Sequence, residues 1–264
     1  MGIVYGPVPS WRLGRSLGVD AVSSVGKTCS FDCTYCQLGR TVHPLTERRC
    51  FVDPVDLRRE LDQLGSVPLD TVTFSGVGEP TLALNLAELV AVARERFDQP
   101  VAVLTNSSLM MREGVQRDLA LFDIVVAKVD APDEPLFRQI NRPVISDSLE
   151  NILQAIQRFR QTFAGRLALQ MMFTPANGER AAEMADIARR LQPDEVQLNT
   201  PLRPSPVSPL SAGAMDRVER AFEGLNVRNV YRAARPSVVT LDDGETRRRR
   251  PVEAQAPAES NSLD

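Results

Sequence analysis

The feature that most constrains the fold is a sixfold alternation of short apolar runs with amphipathic stretches, from Leu17 to about Tyr231. Leu17 to Val25, Asp70 to Phe74, Val101 to Thr105, Ile124 to Val129, Leu167 to Phe173 and Glu195 to Asn199 read as strands. Asp53 to Leu64, Asn85 to Phe97, Glu113 to Leu121, Ser148 to Phe163, Glu179 to Leu191 and Ala214 to Phe222 read as the helices that follow them. In the second of these, Leu86, Leu89, Val90 and Ala93 recur at helical spacing. The first opens on Asp53 as N-cap with Pro54 at the first helical position. A short strand over Val227 to Tyr231 closes the pattern. Such alternation requires a parallel sheet covered by helices. Near-continuous apolar runs such as Val101 to Leu104 suit strands buried on both faces. Two closures fit, an open doubly wound sheet or a partial barrel. In either, the site lies at the carboxyl ends of the strands.

A chain of 264 residues, 43% hydrophobic and 25% charged, suits one large barrel or two small domains with a sizeable core. No run approaches the roughly 18 apolar residues of a membrane span. Met1 to Ser10 lacks a charged segment followed by an apolar one, so no secretory signal is expected. The formal net charge of -3 gives no global electrostatic case for nucleic acid. Local basic spots occur at Arg12 with Arg15, Arg48 with Arg49, and Arg247 to Arg250. The last falls in Asp242 to Asp264, whose low hydrophobicity predicts disorder. The expected layout is an N-terminal extension over 1–16, a barrel over 17–235 and a disordered tail over 236–264.

Three of the four cysteines, Cys29, Cys33 and Cys36, share one loop with spacing C-x3-C-x2-C. Thiolates this close suit iron–sulfur or zinc rather than a disulfide framework, and point to a reducing cytoplasm. A closed zinc site or a fully ligated cubane takes four protein ligands, so three leave one metal position open for chemistry. The plainer alternative is a zinc knuckle completed by Cys50 or His43.

With the aromatic Tyr35 just before the last cysteine, this loop resembles the signature of the radical S-adenosylmethionine (radical SAM) superfamily. A second motif, Thr73-Phe74-Ser75-Gly76-Val77-Gly78-Glu79-Pro80-Thr81-Leu82, resembles the glycine-and-glutamate segment that ends the second strand in that family. The resemblance implies a partial (β/α)6 TIM-type barrel, since the cysteine loop follows the first strand. It further implies that the three thiolates hold three irons of a [4Fe-4S] cluster and that SAM chelates the fourth. An electron from the cluster then releases a 5′-deoxyadenosyl radical, which abstracts hydrogen from a substrate. By the same match Gly78 and Glu79 would receive the methionyl ammonium, Ser75 and Gly76 would shape the pocket, and Tyr35 would pack near adenine.

Other strand-end polar residues are weighed against a role as satisfied inward side chains. Asn106 and Ser107 suit the methionyl carboxylate or a substrate, Lys128 a carboxylate and Asp130 the ribose hydroxyls. Gln170 and Asn199 carry amides able to pair with ribose or adenine. Arg12, Arg15, Arg142 and Arg203 are candidates for anion binding. Expected partners are SAM, a reducing electron donor of the flavodoxin or ferredoxin type, and an anionic substrate, with no membrane. RNA is less favoured on the acidic balance than a small metabolite or a protein radical site.

The Gly6 to Asp20 and Cys33 to Arg40 stretches extend the resemblance to a group of stand-alone radical SAM iron–sulfur oxidoreductases. That group is related to the wybutosine-pathway 4-demethylwyosine synthase. The synthase carries extra cysteines for a second cluster, whereas only Cys50 remains here, so synthesis of that base is not expected. The rival to an enzyme is a non-catalytic metal protein, either a zinc-binding interaction module or an iron–sulfur electron carrier.

Overall fold

The computed structural model describes residues 2–252. In chain order, β1 (Val4–Ser10) and β2 (Gly14–Val19) form a hairpin, and the short β3 (Thr28–Cys29) and β4 (His43–Pro44) pair with each other beyond it. There follow α1 (Pro54–Asp62), β5 (Thr71–Phe74), α2 (Leu86–Arg96), β6 (Val101–Thr105), α3 (Glu113–Leu119) and β7 (Ile124–Lys128). Then come α4 (Glu134–Asn141), α5 (Leu149–Thr162), β8 (Arg166–Met172), α6 (Ala181–Leu191) and β9 (Glu195–Asn199). The described chain closes with α7 (Ala212–Ala221), β10 (Val227–Asn229) and α8 (Asp243–Arg249).

The main sheet runs β1-β2-β5-β6-β7-β8-β9-β10. Only the β1–β2 pair is antiparallel; every later ladder is parallel. A doubly wound sheet reverses its strand order at a switch point. This one never reverses, which decides between the two closures: it is a half-barrel of the partial TIM type. No ladder joins β1 to β10 among the described residues, so the barrel stays open on that side.

Side-chain alternation divides the two faces of the sheet. Leu17, Val19, Val72, Phe74, Val101, Val103, Val125, Leu167, Leu169, Val196 and Leu198 join the main core, with helix residues such as Leu89, Ile156 and Ala185. The opposite face holds only a small apolar group, Leu13, Ala102, Ile124, Val126 and Ala168 with Leu104 against it. Above this plug the interior becomes polar, with Ser16 Oγ and Thr73 Oγ1 2.7 Å apart.

Helix starts follow local chemistry. Asp53 accepts from Val55 N, with Pro54 at the first turn, and Ser148 accepts from Asn151 N. The first parallel strand stops at Val19 rather than running to Val25. Asp20 folds back to accept from Val22 N and Ser23 N at 3.2 and 2.9 Å, an Asx turn that competes with the ladder.

Two segments differ from expectation. Residues 4–10, read as part of an extension, form the edge strand β1; Pro7 and Pro9 are tolerated because an edge strand has a side without ladder bonds. Residues 243–249, read as disordered, form α8, capped by Asp242 accepting from Glu245 N. Residues 253–264 of the expected disordered tail lie outside the described residues.

Candidate functional site

A cavity of about 420 Å³ opens at the carboxyl ends of the parallel strands, within the range of small-molecule sites. Cys29, Cys33 and Cys36 all line it, on the loop that leaves β2. The loop is docked on the glycine-and-glutamate turn after β5: Thr28 N donates to Val77 O and Glu79 N to Thr28 O, both at 3.2 Å. A methyl group on Gly78 would overlap the Thr28 carbonyl oxygen, which explains the glycine by close backbone approach. Gly76 likewise makes room for the Asp20 carboxylate.

The three thiols are free, and burial pushes Cys29 up to about 12 and Cys33 upward. Metal ligation supplies the compensation a buried thiolate needs. Cys29 Sγ accepts from Phe31 N and Asn106 Nδ2, both at 3.5 Å, and Cys33 Sγ from Asn141 Nδ2 at 3.4 Å. Such donors stabilise sulfur charge and tune a cluster. The fourth zinc ligands considered from sequence do not join them. His43 Nε2 lies 3.0 Å from Val25 O, Cys50 is exposed, and neither lines the cavity. Among the described residues no three Cys, His, Asp or Glu side chains converge as ligands of a single ion. Three cavity-facing thiols without a fourth protein ligand fit a cubane that spreads them over three irons and leaves one iron open.

Of the other expected site residues, Tyr35, Ser75, Gly76, Gly78, Glu79, Asn106, Lys128, Gln170 and Asn199 line the cavity. Ser107 and Asp130 are not among the lining residues. Ser107, in the left-handed region at φ 69°, bridges strand ends, its Oγ accepting from Lys128 N at 3.0 Å. Asp130 is only 2% exposed, and its carboxylate accepts from Met172 N at 3.0 Å, Asn141 Nδ2 at 2.7 Å and the Tyr35 hydroxyl. Both residues therefore brace the strand ends instead of facing a ligand. Tyr35 itself is tied down through its hydroxyl, and burial with the Asp130 charge holds its pKa well above the phenolic value. Lys128 Nζ lies 3.2 Å from that hydroxyl and 5.0 Å from the ring centroid.

Glu79 is 2% exposed and accepts four hydrogen bonds. Oε1 takes Thr81 N, Thr81 Oγ1 and Thr105 Oγ1 at 3.1, 2.8 and 2.7 Å, and Oε2 takes Asn106 N at 2.7 Å. The carboxylate thus staples the end of β5 to the end of β6. Desolvation raises its pKa, and the four donors oppose that rise.

Two of the four arginine candidates face the cavity, Arg12 and Arg203. Arg15 instead pairs with Asp70 at 2.6 Å at the amino ends of β2 and β5, and Arg142 lies outside the lining, 4.0 Å from Asp32. Other residues complete the wall: Tyr5, whose hydroxyl meets Ser75 Oγ at 2.8 Å, and Arg235, neither singled out from sequence, with Arg249 and Arg250, read there only as part of a basic run in the tail. Arg249 is 1% exposed, and its Nε pairs with Asp20 Oδ2 at 2.8 Å.

A half-barrel of sequential parallel strands with a three-thiol loop after its first parallel strand is the architecture of radical SAM proteins. The chain belongs to the radical SAM superfamily, whose family model matches residues 23–191. It is 41% identical over 211 residues to UPF0026 protein MJ1312 of Methanocaldococcus jannaschii, and 42% identical over 207 residues to UPF0026 protein slr1464 of Synechocystis. Each match covers 77% of this chain, but 65% of the first relative and 77% of the second. A crystal structure of Streptococcus suis SuiB bound to S-adenosylmethionine superposes with TM-score 0.61 at 15% identity, covering 82% of this chain and 50% of that one. That likeness concerns the fold. No helix among the described residues is long and apolar enough to cross a membrane.

Proposed function

We propose that this protein is a cytoplasmic radical SAM enzyme that cleaves SAM at a [4Fe-4S] cluster held by Cys29, Cys33 and Cys36 and acts on a substrate in the same cavity. The observation that carries the proposal is the presence of those three thiols, and of no fourth thiol or imidazole, in the lining of one cavity at the strand ends. A reduced cluster held by Cys29, Cys33 and Cys36 would supply the electron for reductive cleavage of SAM to methionine and a 5′-deoxyadenosyl radical, which would take a hydrogen atom from the substrate.

The chain's own residues orient and enclose. Gly78 and Glu79 bring backbone and carboxylate oxygen to the methionyl ammonium; Oε2 of Glu79, with a single partner, retains acceptor capacity for it. Asn106 Nδ2 reaches both Cys29 Sγ and Ser30 Oγ and so fixes the cysteine loop against the end of β6. Ser75 and Gly76 shape the floor, while Lys128, Gln170 and Asn199 present polar ends to nucleoside and substrate. The buried rings of Phe31 and Tyr35 exclude water. The electron comes from a protein of the flavodoxin or ferredoxin type.

The test is anaerobic reconstitution with iron and sulfide, followed by SAM and dithionite. A brown protein that forms 5′-deoxyadenosine is expected. A colourless, zinc-loaded protein with no SAM turnover would reverse the reading in favour of a structural metal module.

A further inference from the structure

The cavity that receives the cysteines is strongly cationic in a chain of net charge -3. Its charged lining comprises Arg12, Lys27, Lys128, Arg203, Arg235, Arg249 and Arg250 against one carboxylate, Glu79, among the described residues. Three of these cations are balanced: Arg249 by Asp20 and Glu245, Lys27 by Asp32 at 3.9 Å, and Lys128 beside Tyr35 and Asp130. Arg12, Arg203, Arg235 and Arg250 make no ion pair among the described residues. Arg12 reaches Gln170 Oε1 with one terminal nitrogen, and its buried Nε has no hydrogen-bond partner. A buried donor left without a partner is costly and asks for one.

These guanidiniums act mainly on one another. The charges acting on Cys29 and Cys33 include Lys27 and Lys128, whereas those acting on Arg203 are Arg250, Arg12, Tyr5 and Arg235. Burial and mutual repulsion push Arg12 down to about 10 and Arg203 to about 9, and both remain charged at neutral pH. Like charges gathered in a partly dry wall oppose folding, so their retention demands a counter-charge.

The fold spends a whole element on placing one of them. On α8, Arg249 bonds to Asp20 and to Gly2 O at 2.5 Å, lies 5.0 Å from the Tyr5 ring centroid, and its carbonyl accepts from Gln37 Nε2 at 2.8 Å. Arg248 donates to Ser24 O at 2.7 Å. Seated by these contacts, α8 holds Arg250 in the cavity wall.

We propose that Arg12, Arg203, Arg235 and Arg250 form the recognition site for a small-molecule substrate that carries a phosphate or diphosphate group. Guanidinium forks match phosphate oxygens in geometry and charge, and a cavity of about 420 Å³ suits a small molecule better than a folded macromolecule. The inference rests on the radical SAM reading for what happens to the substrate, but not for its binding.

The experiment titrates inorganic pyrophosphate into the full reconstituted chain by calorimetry at low and moderate salt. Saturable binding that weakens with salt is expected. Arg203→Gln and Arg250→Gln should each weaken it about tenfold, as loss of a charge-assisted hydrogen bond does. Arg247→Gln, on the exposed side of α8, should leave it unchanged. A second readout separates binding from mere structure: without ligand the two variants should melt no lower than wild type, because repulsion has been relieved, yet show a smaller rise in Tm with pyrophosphate. Absence of saturable binding, or equal weakening by Arg247→Gln, overturns the proposal. Uncoupled 5′-deoxyadenosine formation, followed in the same samples, keeps the two readings apart. If SAM is cleaved but pyrophosphate is not bound, the anion site falls alone; if pyrophosphate binds without SAM cleavage, the catalytic reading falls.

Discussion

The two ends of the cavity are built on opposite terms. Around the cysteines almost every polar group is answered: Glu79 accepts four hydrogen bonds, Asp130 is shared among Tyr35, Asn141 and Met172, and Gly78 lets two backbones lock. At the far end, Arg12, Arg203, Arg235 and Arg250 make no ion pair among the described residues, and the buried Nε of Arg12 has no hydrogen-bond partner there. Satisfied groups fix geometry, and unsatisfied ones await a ligand. In the proposed functions, the cysteine end is a rigid mount for a cofactor, and the arginine end a receptor for an anion.

The largest effects break the mount. Cys36→Ser should lose iron and drop 5′-deoxyadenosine formation beyond the roughly 10–100-fold typical of an outer-sphere loss at a metal site. Cys50→Ser, exposed and off the cavity, should change neither. Iron analysis with product chromatography checks both, and equal loss in the two variants would mean that the mount has been misplaced. Gly78→Ala should come next. The new methyl has backbone, not a flexible side chain, in its way, so the cysteine loop must shift. Overpacking of this kind costs about 1–3 kcal/mol, and cluster content should fall with stability. Gly213→Ala in α7, with open space at its Cβ, is the control and should be neutral or slightly stabilising.

The hinge between the two ends is the Asp20–Arg249 pair, with both side chains nearly inaccessible. Removing one partner strands the other, which costs about 3–5 kcal/mol, whereas replacing both together should cost much less. Urea denaturation of Asp20→Asn, Arg249→Met and the double variant measures this. Because Arg249 seats α8, Arg249→Met should also weaken pyrophosphate binding through Arg250. Unchanged binding would show that the receptor does not depend on α8.

Much of the mount was legible in the sequence; of the receptor, Arg12 and Arg203 were legible as anion candidates and Arg250 within a basic run, but not their grouping. The six strand–helix units and the three-thiol loop rest on local patterns: period-two and period-3.6 apolar spacing, an Asp53-Pro54 helix start, cysteines three and four apart. The receptor is a long-range object. Arg12 meets Arg203 and Arg250 only because the half-barrel brings the hairpin, the loop after β9 and the C-terminal helix to one side. Composition misled at α8, since its anchor is a buried arginine paired with Asp20, 229 positions earlier in the chain, and not an apolar face. A local signal was nevertheless present there: Asp242 and Glu245 have the spacing of a capped helix start, and Asp133 with Pro135 marks the overlooked α4 in the same way. Asp130 and Ser107 lie off the cavity lining for a different reason. Strand-end position selects polar residues, but cannot tell those that face the cavity from those that tie neighbouring strands.

The smallest of these effects bears on whether the mount is structural as well as functional. In Glu79→Gln the amide replaces a carboxylate with four donors around it, and whichever way it is turned at least one backbone donor, Asn106 N or Thr81 N, loses its acceptor. The loss should be about 1–3 kcal/mol by urea denaturation, far less than unfolding and enough to measure. Its pH dependence has a definite sign. Burial raises the folded pKa of Glu79 above the unfolded value, so the protonated carboxyl adds stability below the unfolded pKa, and that part fades as pH rises through the folded pKa. Glutamine cannot titrate, so the stability gap between wild type and Glu79→Gln should narrow as pH rises from the unfolded carboxylate range through the raised folded pKa. A gap that widens over this range would mean that the four donors outweigh desolvation, and that the carboxylate is held charged before any ammonium arrives.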